Sequence, residues 1–229
     1  MALLEVIELK KSFRDPEGRQ GLVLDVPSFH LEAGAQVGLA GSSGTGKTTF
    51  LHCLAGILAP DSGRILLDGQ PMSSVSEASR DRLRARSLGY IFQTFNLLQG
   101  FTCLENVLLG MSFGKGTDRP RAEELLRRVG LEDRMRHYPR QLSTGQQQRV
   151  AVARALANQP KLVLADEPTG NLDAANARAA LGLIREVCGE SGAALLCVSH
   201  DPAIFGSFPQ RYSLADLNRA SQGSNSPVV

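Results

Sequence analysis

The sequence predicts an α/β fold, and two observations support that prediction. Residues 41–48 fit the pattern G-x-x-x-x-G-K-[ST] of a phosphate-binding loop, with an apolar run at 36–40 before it and a helical run at 47–55 after it. Further along, continuous apolar runs at 161–165 and 193–198 are typical of strands buried on both faces. Strands of this kind alternating with helices indicate a parallel sheet covered by helices.

The remaining elements follow from local patterns in chain order. Residues 3–9 and 22–31 alternate as strands, with a turn at 14–18 between them, and Pro27 places the second near a sheet edge. Further predicted elements are a strand at 64–67 with a hairpin turn at Asp68 and Gly69, helices at 77–86, 103–111, 120–129, 145–157 and 174–188, and a strand at 88–92. The three consecutive helices between 103 and 157 indicate a helical insertion, and the polar end at 221–227 is expected to be disordered.

Composition limits the classes of function. The chain has 229 residues, enough for one large domain or two small ones, and its 25 Lys+Arg against 23 Asp+Glu do not demand a nucleic-acid partner. No stretch approaches the roughly 20 apolar residues that span a bilayer, and acids near the start argue against a secretory signal. Four cysteines without C-x-x-C spacing predict core thiols in a reducing compartment. We therefore expect a cytoplasmic protein that reaches a membrane only through a partner.

The phosphate-loop pattern predicts specific roles for its residues. Glycines let the backbone approach phosphates closely, and the N-terminus of the following helix adds positive charge. Lys47 is expected to reach the β- and γ-phosphates and the Thr48 hydroxyl to bind Mg²⁺. The alternative, an ordinary Gly/Ser turn before a helix, has the same local composition.

Two further groups narrow the chemistry. The strand at 161–165 leads into Asp166 and Glu167. Asp166 is suited to bind Mg²⁺, and Glu167 to orient or deprotonate an attacking water. The alternative is that both acids are only surface charges. Ser143 and Gln146 form an S-x-x-Q capping box, which either only starts a helix or offers a hydroxyl at a helix N-terminus to a phosphate.

The stretch 142–156 resembles the signature sequence of ATP-binding cassette (ABC) ATPases, and the resemblance covers residues 4–212. It implies a P-loop NTPase (RecA-like) core with an N-terminal antiparallel β subdomain and a helical subdomain inserted between the Q-loop and the signature. A single domain over 1–215 is expected, with 1–92 and 158–215 as the catalytic core, 93–157 as the helical subdomain and signature helix, and 216–229 as a tail.

The resemblance also implies site residues. ATP is expected to contact Phe13, Gly41, Ser42, Ser43, Gly44, Thr45, Gly46, Lys47, Thr48, Thr49, Gln93, Ser143, Gly145, Gln146 and Asp173. Mg²⁺ is expected on Thr48, Gln93 and Asp166, and the catalytic residues are Glu167 as base, His200 as the switch histidine, and Lys47. Asn171 to Asp173 match the D-loop.

Two departures from the family pattern stand out. Thr144 occupies a position that is usually glycine, and a β-branched residue rarely adopts positive φ. We expect Ser143 and Gly145 still to bind ATP, but the dimer to close more slowly or more weakly. Comparing ATP-driven dimerisation of the wild type and Thr144→Gly tests this expectation. At the other end, 212–220 runs into a polar tail where many relatives finish with a Gly-containing hairpin.

Three stretches, 89–98, 104–107 and 167–173, resemble the branch that serves lipoprotein release, macrolide-type efflux and cell division. This branch implies a dimer of like subunits. The dimer drives a separate integral membrane permease from the cytoplasmic face of the inner membrane, as an exporter or by lipoprotein-release-type mechanotransmission. An ATPase that regulates a membrane-linked cell-wall or cell-division process is the alternative. A soluble translation or repair ATPase and an adaptor without turnover fit less well, because the chain has one cassette and retains Glu167 and His200.

The apolar cluster Phe95, Leu97, Leu98, Phe101 and Leu104 has two interpretations. It either packs in the core, or it lines a groove that receives a short helix of the membrane partner. Exposure of these side chains distinguishes the two.

Overall fold

Two sheets and a group of helices make up the chain. The structure is a computed structural model that describes residues 2–42 and 44–222, the last of these by its backbone alone. The strands are β1 (Ala2–Arg14), β2 (Gln20–Glu32), β3 (Gln36–Ala40), β4 (Ser62–Leu67), β5 (Gln70–Pro71), β6 (Leu88–Ile91), β7 (Leu162–Asp166), β8 (Ala194–Ser199) and β9 (Gln210–Ser213). The helices are α1 (Lys47–Leu54), α2 (Glu77–Ser87), α3 (Cys103–Ser112), α4 (Arg119–Arg128), α5 (Thr144–Ala155), α6 (Ala174–Ser191), α7 (Pro202–Gly206), α8 (Leu214–Leu217) and α9 (Arg219–Gln222).

The larger sheet is parallel, in the order β6-β7-β8-β3-β9. Its central strands are buried on both faces, as their continuous apolar sequences predict. Leu162 and Leu164 face one hydrophobic core, and Val163 and Ala165 face the other, because successive side chains of a strand point to opposite sides. Because β3, β6, β7 and β8 run parallel, their carboxyl ends meet along one edge of the sheet. Open α/β sheets bind ligands at this edge.

The smaller sheet is antiparallel, in the order β2-β1-β4-β5. It shares one core with α1 and the parallel sheet, through residues such as Phe29 and Phe50, whose rings meet edge to face at 5.7 Å. β2 is an edge strand, as Pro27 predicts. The other core joins the parallel sheet to α3, α4 and α5, the inserted helices.

The cysteines behave as the sequence predicts. Cys53, Cys103, Cys188 and Cys197 are buried and free. Burial raises the pKa of the Cys53 thiol to about 12, so this thiol stays protonated and unreactive at neutral pH.

The C-terminal end differs from the prediction. The strand β9 and the helices α7, α8 and α9 have no counterpart among the predicted elements. Residues 216–222, predicted as the start of a polar tail, lie within or between α8 and α9. These helices pack against the rest of the chain because Leu214 is buried in the core and Asn218 is hydrogen-bonded to β2. The rest of the predicted tail, 223–229, lies outside the described residues.

Candidate functional site

The phosphate loop lies between β3 and α1, and β3 is paired with the central strand β8 of the parallel sheet. Gly44 and Gly46 have φ values of 81° and 91°, a left-handed conformation that glycine adopts without steric cost. A Cβ on Gly41 would lie 2.8 Å from Thr45 Oγ1, so this position too excludes larger residues. The predicted loop residue Ser43 lies outside the described residues. The left-handed Gly44 and Gly46 and the close approach at Gly41 fit a loop whose backbone N–H groups surround a phosphate.

Lys47 bends back over this loop. Its Nζ donates to the carbonyl oxygens of Gly41 at 2.7 Å and Ser42 at 3.0 Å, and lies 3.5 Å from Glu167 Oε1. The ammonium group is therefore held over the loop by weak neutral acceptors and one carboxylate. A phosphate group, with its greater negative charge, would compete successfully for the same donors.

Glu167 and His200 meet at the ends of β7 and β8. His200 Nδ1 lies 2.9 Å from Glu167 Oε1, and the His200 backbone N–H donates to Glu167 Oε2 at 3.3 Å. Glu167 is buried and has a φ of 45°, a strained conformation for a residue with a Cβ. Its own N–H donates to Val198 O at 3.0 Å, which fixes this backbone. Strain that is held by surrounding bonds in this way is frequent at catalytic residues.

Asp166 is the last residue of β7 and its carboxylate is buried. Burial raises the pKa of Asp166, and a hydrogen bond with the Thr48 side chain partly offsets the rise. Its Oδ1 has no hydrogen-bond partner in the described part of the chain. An unpaired, buried carboxylate oxygen beside a threonine hydroxyl fits a divalent cation, since hard cations bind oxygen ligands.

Lys47, Glu167 and His200 open onto one cavity, the phosphate-loop cleft, whereas Asp166 is not among the residues that line it. It has a volume of about 810 Å³ and is lined by Val23, Ser42, Gly44, Gly46, Lys47, Thr48, Thr49, Gln93, Glu167 and His200. This volume lies in the range of small-ligand sites. No three or more His, Cys, Asp or Glu side chains among residues 2–42 and 44–222 are grouped to hold a metal ion by themselves. A Mg²⁺ ion here would therefore draw several ligands from the phosphates and water, as Mg²⁺ commonly does.

Gln93 is tied to the D-loop. The Asn171 Nδ2 group donates to Gln93 O at 2.8 Å, which links the end of β6 to the segment after β7. The sequence predicted both segments as functional but gave no sign that they are bonded to each other.

Other predicted residues do not line the phosphate-loop cleft. Ser143 caps α5, with its Oγ accepting from Gln146 N at 3.3 Å and its N–H donating to Gln146 Oε1 at 3.0 Å. Asp173 caps α6, and the hydrogen bonds from Asn176 lower its pKa. Gly145 follows Ser143 on α5, and a Cβ there would meet nothing within 4 Å. Within one chain, these signature and D-loop residues therefore cap helices, or, in the case of Gly145, lie beside open space.

Phe13 is also outside the phosphate-loop cleft. Its ring is 44% exposed on β1, opposite Gly21 of β2, with Lys11 Nζ 5.6 Å from its centroid. In contrast, Val23 lines the cleft and was not among the predicted residues.

The backbone of Thr144 differs from expectation. Thr144 is the first residue of α5, and neither it nor Gly145 is among the described residues with positive φ. A β-branched residue fits this position without backbone strain, so the expected positive φ is wrong, and slower or weaker closure stays a prediction.

A second cavity of about 560 Å³, the α2–α5 cleft, lies between α2, β6, α3 and α5. Phe113, which is 72% exposed, and Arg82, Arg84 and Arg154 are among the residues that line it. The nearby apolar cluster is divided: Phe95, Leu97 and Leu104 are buried in the core, whereas Leu98 and Phe101 are 43% and 41% exposed.

Comparison with known proteins identifies the family. The family model described as ABC transporter matches residues 24–170. This chain belongs to the ABC transporter ATP-binding family. It is the ATP-binding subunit of an ABC transporter and an ATPase, as the signature, the phosphate loop and the strand-end acids predict.

Relatives of this ABC ATPase refine the comparison. It is 46% identical over 220 residues to the lipoprotein-releasing system ATP-binding protein LolD 2 of Rhodospirillum rubrum, covering 94% of this chain and 95% of the relative. It is 45% identical to the LolD protein of Shewanella oneidensis, covering 88% and 89%. These relatives belong to the lipoprotein-release branch that the sequence predicted.

Solved structures confirm the predicted fold class. The dimeric ABC transporter cassette MJ0796 is 32% identical and superposes with a TM-score of 0.83, covering 92% of this chain and 93% of that one. A dimeric post-hydrolysis state of MJ0796, bound to ADP and Pi, gives a TM-score of 0.84 at 31% identity and covers 95% of each chain.

Proposed function

We propose that this ABC ATPase powers a lipoprotein-releasing transporter, as one half of a homodimer attached to an integral membrane permease. The observation that carries the proposal is the convergence of Lys47, Glu167 and His200 on one side of the phosphate loop. The 46% identity to a lipoprotein-releasing protein over almost the whole chain supports the branch.

The cleft residues divide the chemistry among them. ATP binds with its phosphates on the loop Gly41 to Thr49, where Lys47 exchanges its carbonyl partners for phosphate oxygens. Thr48, Asp166 and Gln93 would hold Mg²⁺, which would neutralise developing charge on the phosphates. The unpaired Asp166 Oδ1 and the Thr48 hydroxyl beside it support this assignment.

Glu167 is the general base for hydrolysis. It accepts a proton from water as the water oxygen forms a bond to the γ-phosphorus and the bond to the bridging β–γ oxygen breaks, releasing ADP and phosphate. His200 holds the Glu167 carboxylate through the 2.9 Å contact and stabilises the transferring phosphoryl group. The same contact orients the base before substrate arrives.

A second copy of the chain completes each site. Ser143, Gly145, Gln146 and Asp173 belong to the ATP site in the proposal, yet they do not line the phosphate-loop cleft of their own chain. An isologous dimer brings the α5 N-terminus of one subunit to the nucleotide of the other, giving two composite sites. The related MJ0796 structures are dimeric, which supports this arrangement. Phe13 contributes adenine stacking in the same assembly.

The permease docks at the α2–α5 cleft. This cleft combines the exposed Phe113 with Arg82 and Arg84, and the exposed Leu98 and Phe101 lie on the segment that follows Gln93. An amphipathic helix of the partner would fill such a groove. No described helix is long and apolar enough to cross a bilayer; attachment to the cytoplasmic face of the inner membrane through the permease fits that finding.

Glu167→Gln tests the assignment of the base. It keeps the shape of the side chain but removes the proton acceptor, so we expect ATP hydrolysis to fall by at least about 100-fold. Mg²⁺-ATP should then trap a closed dimer, measured by size-exclusion chromatography with light scattering, whereas ADP should not. A Glu167→Gln protein that neither binds ATP nor dimerises with it contradicts the proposed roles.

The lipoprotein-release role has its own test. The chain is purified with its native permease and reconstituted, and ATP-driven release of a lipoprotein from the membrane is measured with Glu167→Gln as the inactive control. Release that depends on ATP supports the proposal. ATP-dependent control of cell-wall hydrolysis without release would favour the regulatory alternative.

A further inference from the structure

Asn218, between the two C-terminal helices α8 and α9, is a buried residue that contacts the strand β2. It is 1% exposed, although it lies in a stretch that the sequence predicted as a polar tail. Its Oδ1 accepts from Asp25 N at 2.8 Å and Ala220 N at 3.2 Å, and its Nδ2 donates to Val23 O at 2.9 Å and Thr45 O at 3.4 Å. One side chain thus joins α9, β2 and the phosphate loop.

Two of these partners belong to the nucleotide site. Val23 lines the phosphate-loop cleft, and Thr45 is a loop residue. The contact at 2.9 Å is a normal hydrogen bond, and the one at 3.4 Å is long and weaker, so the main restraint acts on Val23. Val23 in turn supports Gly46 closely: a Cβ on Gly46 would lie 3.2 Å from Val23 Cγ1 and 3.3 Å from Val23 O. The loop therefore rests on the residue that Asn218 holds.

The direct bond to Thr45 adds orientation. In a trans peptide the carbonyl of one residue and the N–H of the next point in opposite directions. When Asn218 Nδ2 binds Thr45 O, the N–H of Gly46 is therefore directed away from Asn218. Fixing this peptide plane before a nucleotide arrives reduces the ordering that binding must impose on the loop.

We propose that Asn218 is a positioning residue for the phosphate loop, which makes the C-terminal helices α8 and α9 a supporting part of the ATP site. The inference rests on the proposed role of the loop in binding the nucleotide phosphates. It goes beyond that role by assigning loop order to a residue 173 positions away in the chain from Thr45.

A matched residue separates positioning from general stability. Asn106 is also 1% exposed; its Oδ1 accepts from Leu98 N at 2.9 Å, and its Nδ2 donates to the carbonyl oxygens of Leu98, Phe101 and Thr102 at 3.0–3.2 Å. None of these partners lines the phosphate-loop cleft. Asn106→Ala should therefore cost comparable hydrogen bonding without loosening the loop.

The experiment compares Asn218→Ala and Asn106→Ala in the full chain. Both should lower Tm, whereas Asn218→Ala alone should raise the KM for Mg²⁺-ATP by about fivefold to tenfold and leave kcat within about twofold. Hydrogen exchange of a peptide covering 41–49, without nucleotide, should be faster in Asn218→Ala and unchanged in Asn106→Ala. Asn218→Ser, which keeps a shorter donor, should give an intermediate KM and serves if the alanine variant does not fold.

Two results overturn the inference. The first is that the Asn218 variants have the same KM and the same loop exchange rate as the wild type. The second is that Asn106→Ala changes these two quantities as much as Asn218→Ala does. Lys47→Ala is measured alongside by titration with a fluorescent ATP analogue. If that variant binds the analogue as tightly as the wild type, the proposed role of the loop fails, whatever the Asn218 variants do.

Discussion

The Asp166 carboxylate, a proposed ligand of Mg²⁺, lies in surroundings that disfavour its charge. It is buried at the end of β7, its Oδ1 has no partner in the described chain, and burial is the largest cause of its raised pKa. The Tyr90 hydroxyl is also buried, and the pKa of Tyr90 is raised by burial, by the Asp166 charge and by a side-chain interaction with Asp166. An ionised carboxylate here is destabilising until a cation binds it.

Asp166→Asn should therefore stabilise the nucleotide-free protein while it abolishes Mg²⁺-dependent ATPase activity. Because the folded-state pKa of Asp166 is raised, the folded state holds its proton more tightly, and ionisation costs stability as the pH rises through that pKa. At neutral pH the amide removes this cost, and we expect Tm to rise by about 2–4 °C. The gain should disappear in acid, below the ordinary pKa of an aspartate, where both proteins are neutral at this position.

Thermal unfolding without metal or nucleotide, at neutral and acidic pH, provides the measurement. Asp216→Asn, an exposed change on α8, is the control and should leave Tm unchanged at both values of pH. A fall in Tm for Asp166→Asn at neutral pH would show that the carboxylate has stabilising partners within the protein.

Among the elements, α5 connects the signature to the segment that follows Gln93. Arg154, near its C-terminal end, donates to Phe95 O at 2.6 Å and Asn96 O at 2.5 Å. Phe95 and Asn96 have φ values of 59° and 48°, so the guanidinium holds two consecutive residues in the left-handed region. Arg154 also lines the α2–α5 cleft, which places the proposed permease surface against the same contact.

Arg154→Ala should lower the free energy of unfolding by about 2–4 kcal/mol, because it removes two charge-assisted hydrogen bonds from a strained turn. Urea denaturation measures this effect. Arg127→Ala, which removes an exposed ion pair with Glu124 on α4, is the control and should cost less than about 0.5 kcal/mol. Equal losses in the two variants would mean that the turn does not depend on Arg154.

The whole molecule, as we propose it, is half of a working unit. In a single chain, the phosphate-loop cleft is lined by the loop, Gln93, Glu167 and His200, while Gly145 on α5 faces open space. That arrangement predicts complementation between subunits. Gly145→Asp should fold normally, since an added Cβ meets nothing within 4 Å, yet its carboxylate should repel the phosphates in a closed dimer.

Mixing Lys47→Ala with Gly145→Asp should therefore restore activity. Each variant alone has two defective sites, whereas a mixed dimer has one intact site and one that carries both defects. Random exchange in an equal mixture should recover about a quarter of wild-type ATPase activity if the sites act independently. The control mixes Lys47→Ala with the double variant Lys47→Ala/Gly145→Asp, which offers no intact site. An equal mixture that is no more active than the control would contradict a composite site.

Local pattern was sufficient for much of this molecule. The phosphate loop, the strands that end at Asp166 and Ser199, and the helical insertion all follow from short-range periodicity and turn chemistry, and their order predicted the ABC family. Thr144 shows a limit of that reasoning: its signature position suggested positive φ, but the capping bonds of Ser143 and Gln146 make it an ordinary first residue of a helix.

By itself, then, the sequence determined the parallel-sheet fold and the identity of the strand-end acids, because these depend on neighbours within one element. It also determined the family, because the family's motifs lie in a fixed order along the chain. Tertiary structure alone decided that Glu167 lies against His200, that Leu98 and Phe101 are exposed while Phe95 and Leu97 are buried, and that Asn218 reaches β2 and the phosphate loop. These contacts join residues from separate elements, and side-chain periodicity along one strand or helix holds no information about which distant element will pack beside it.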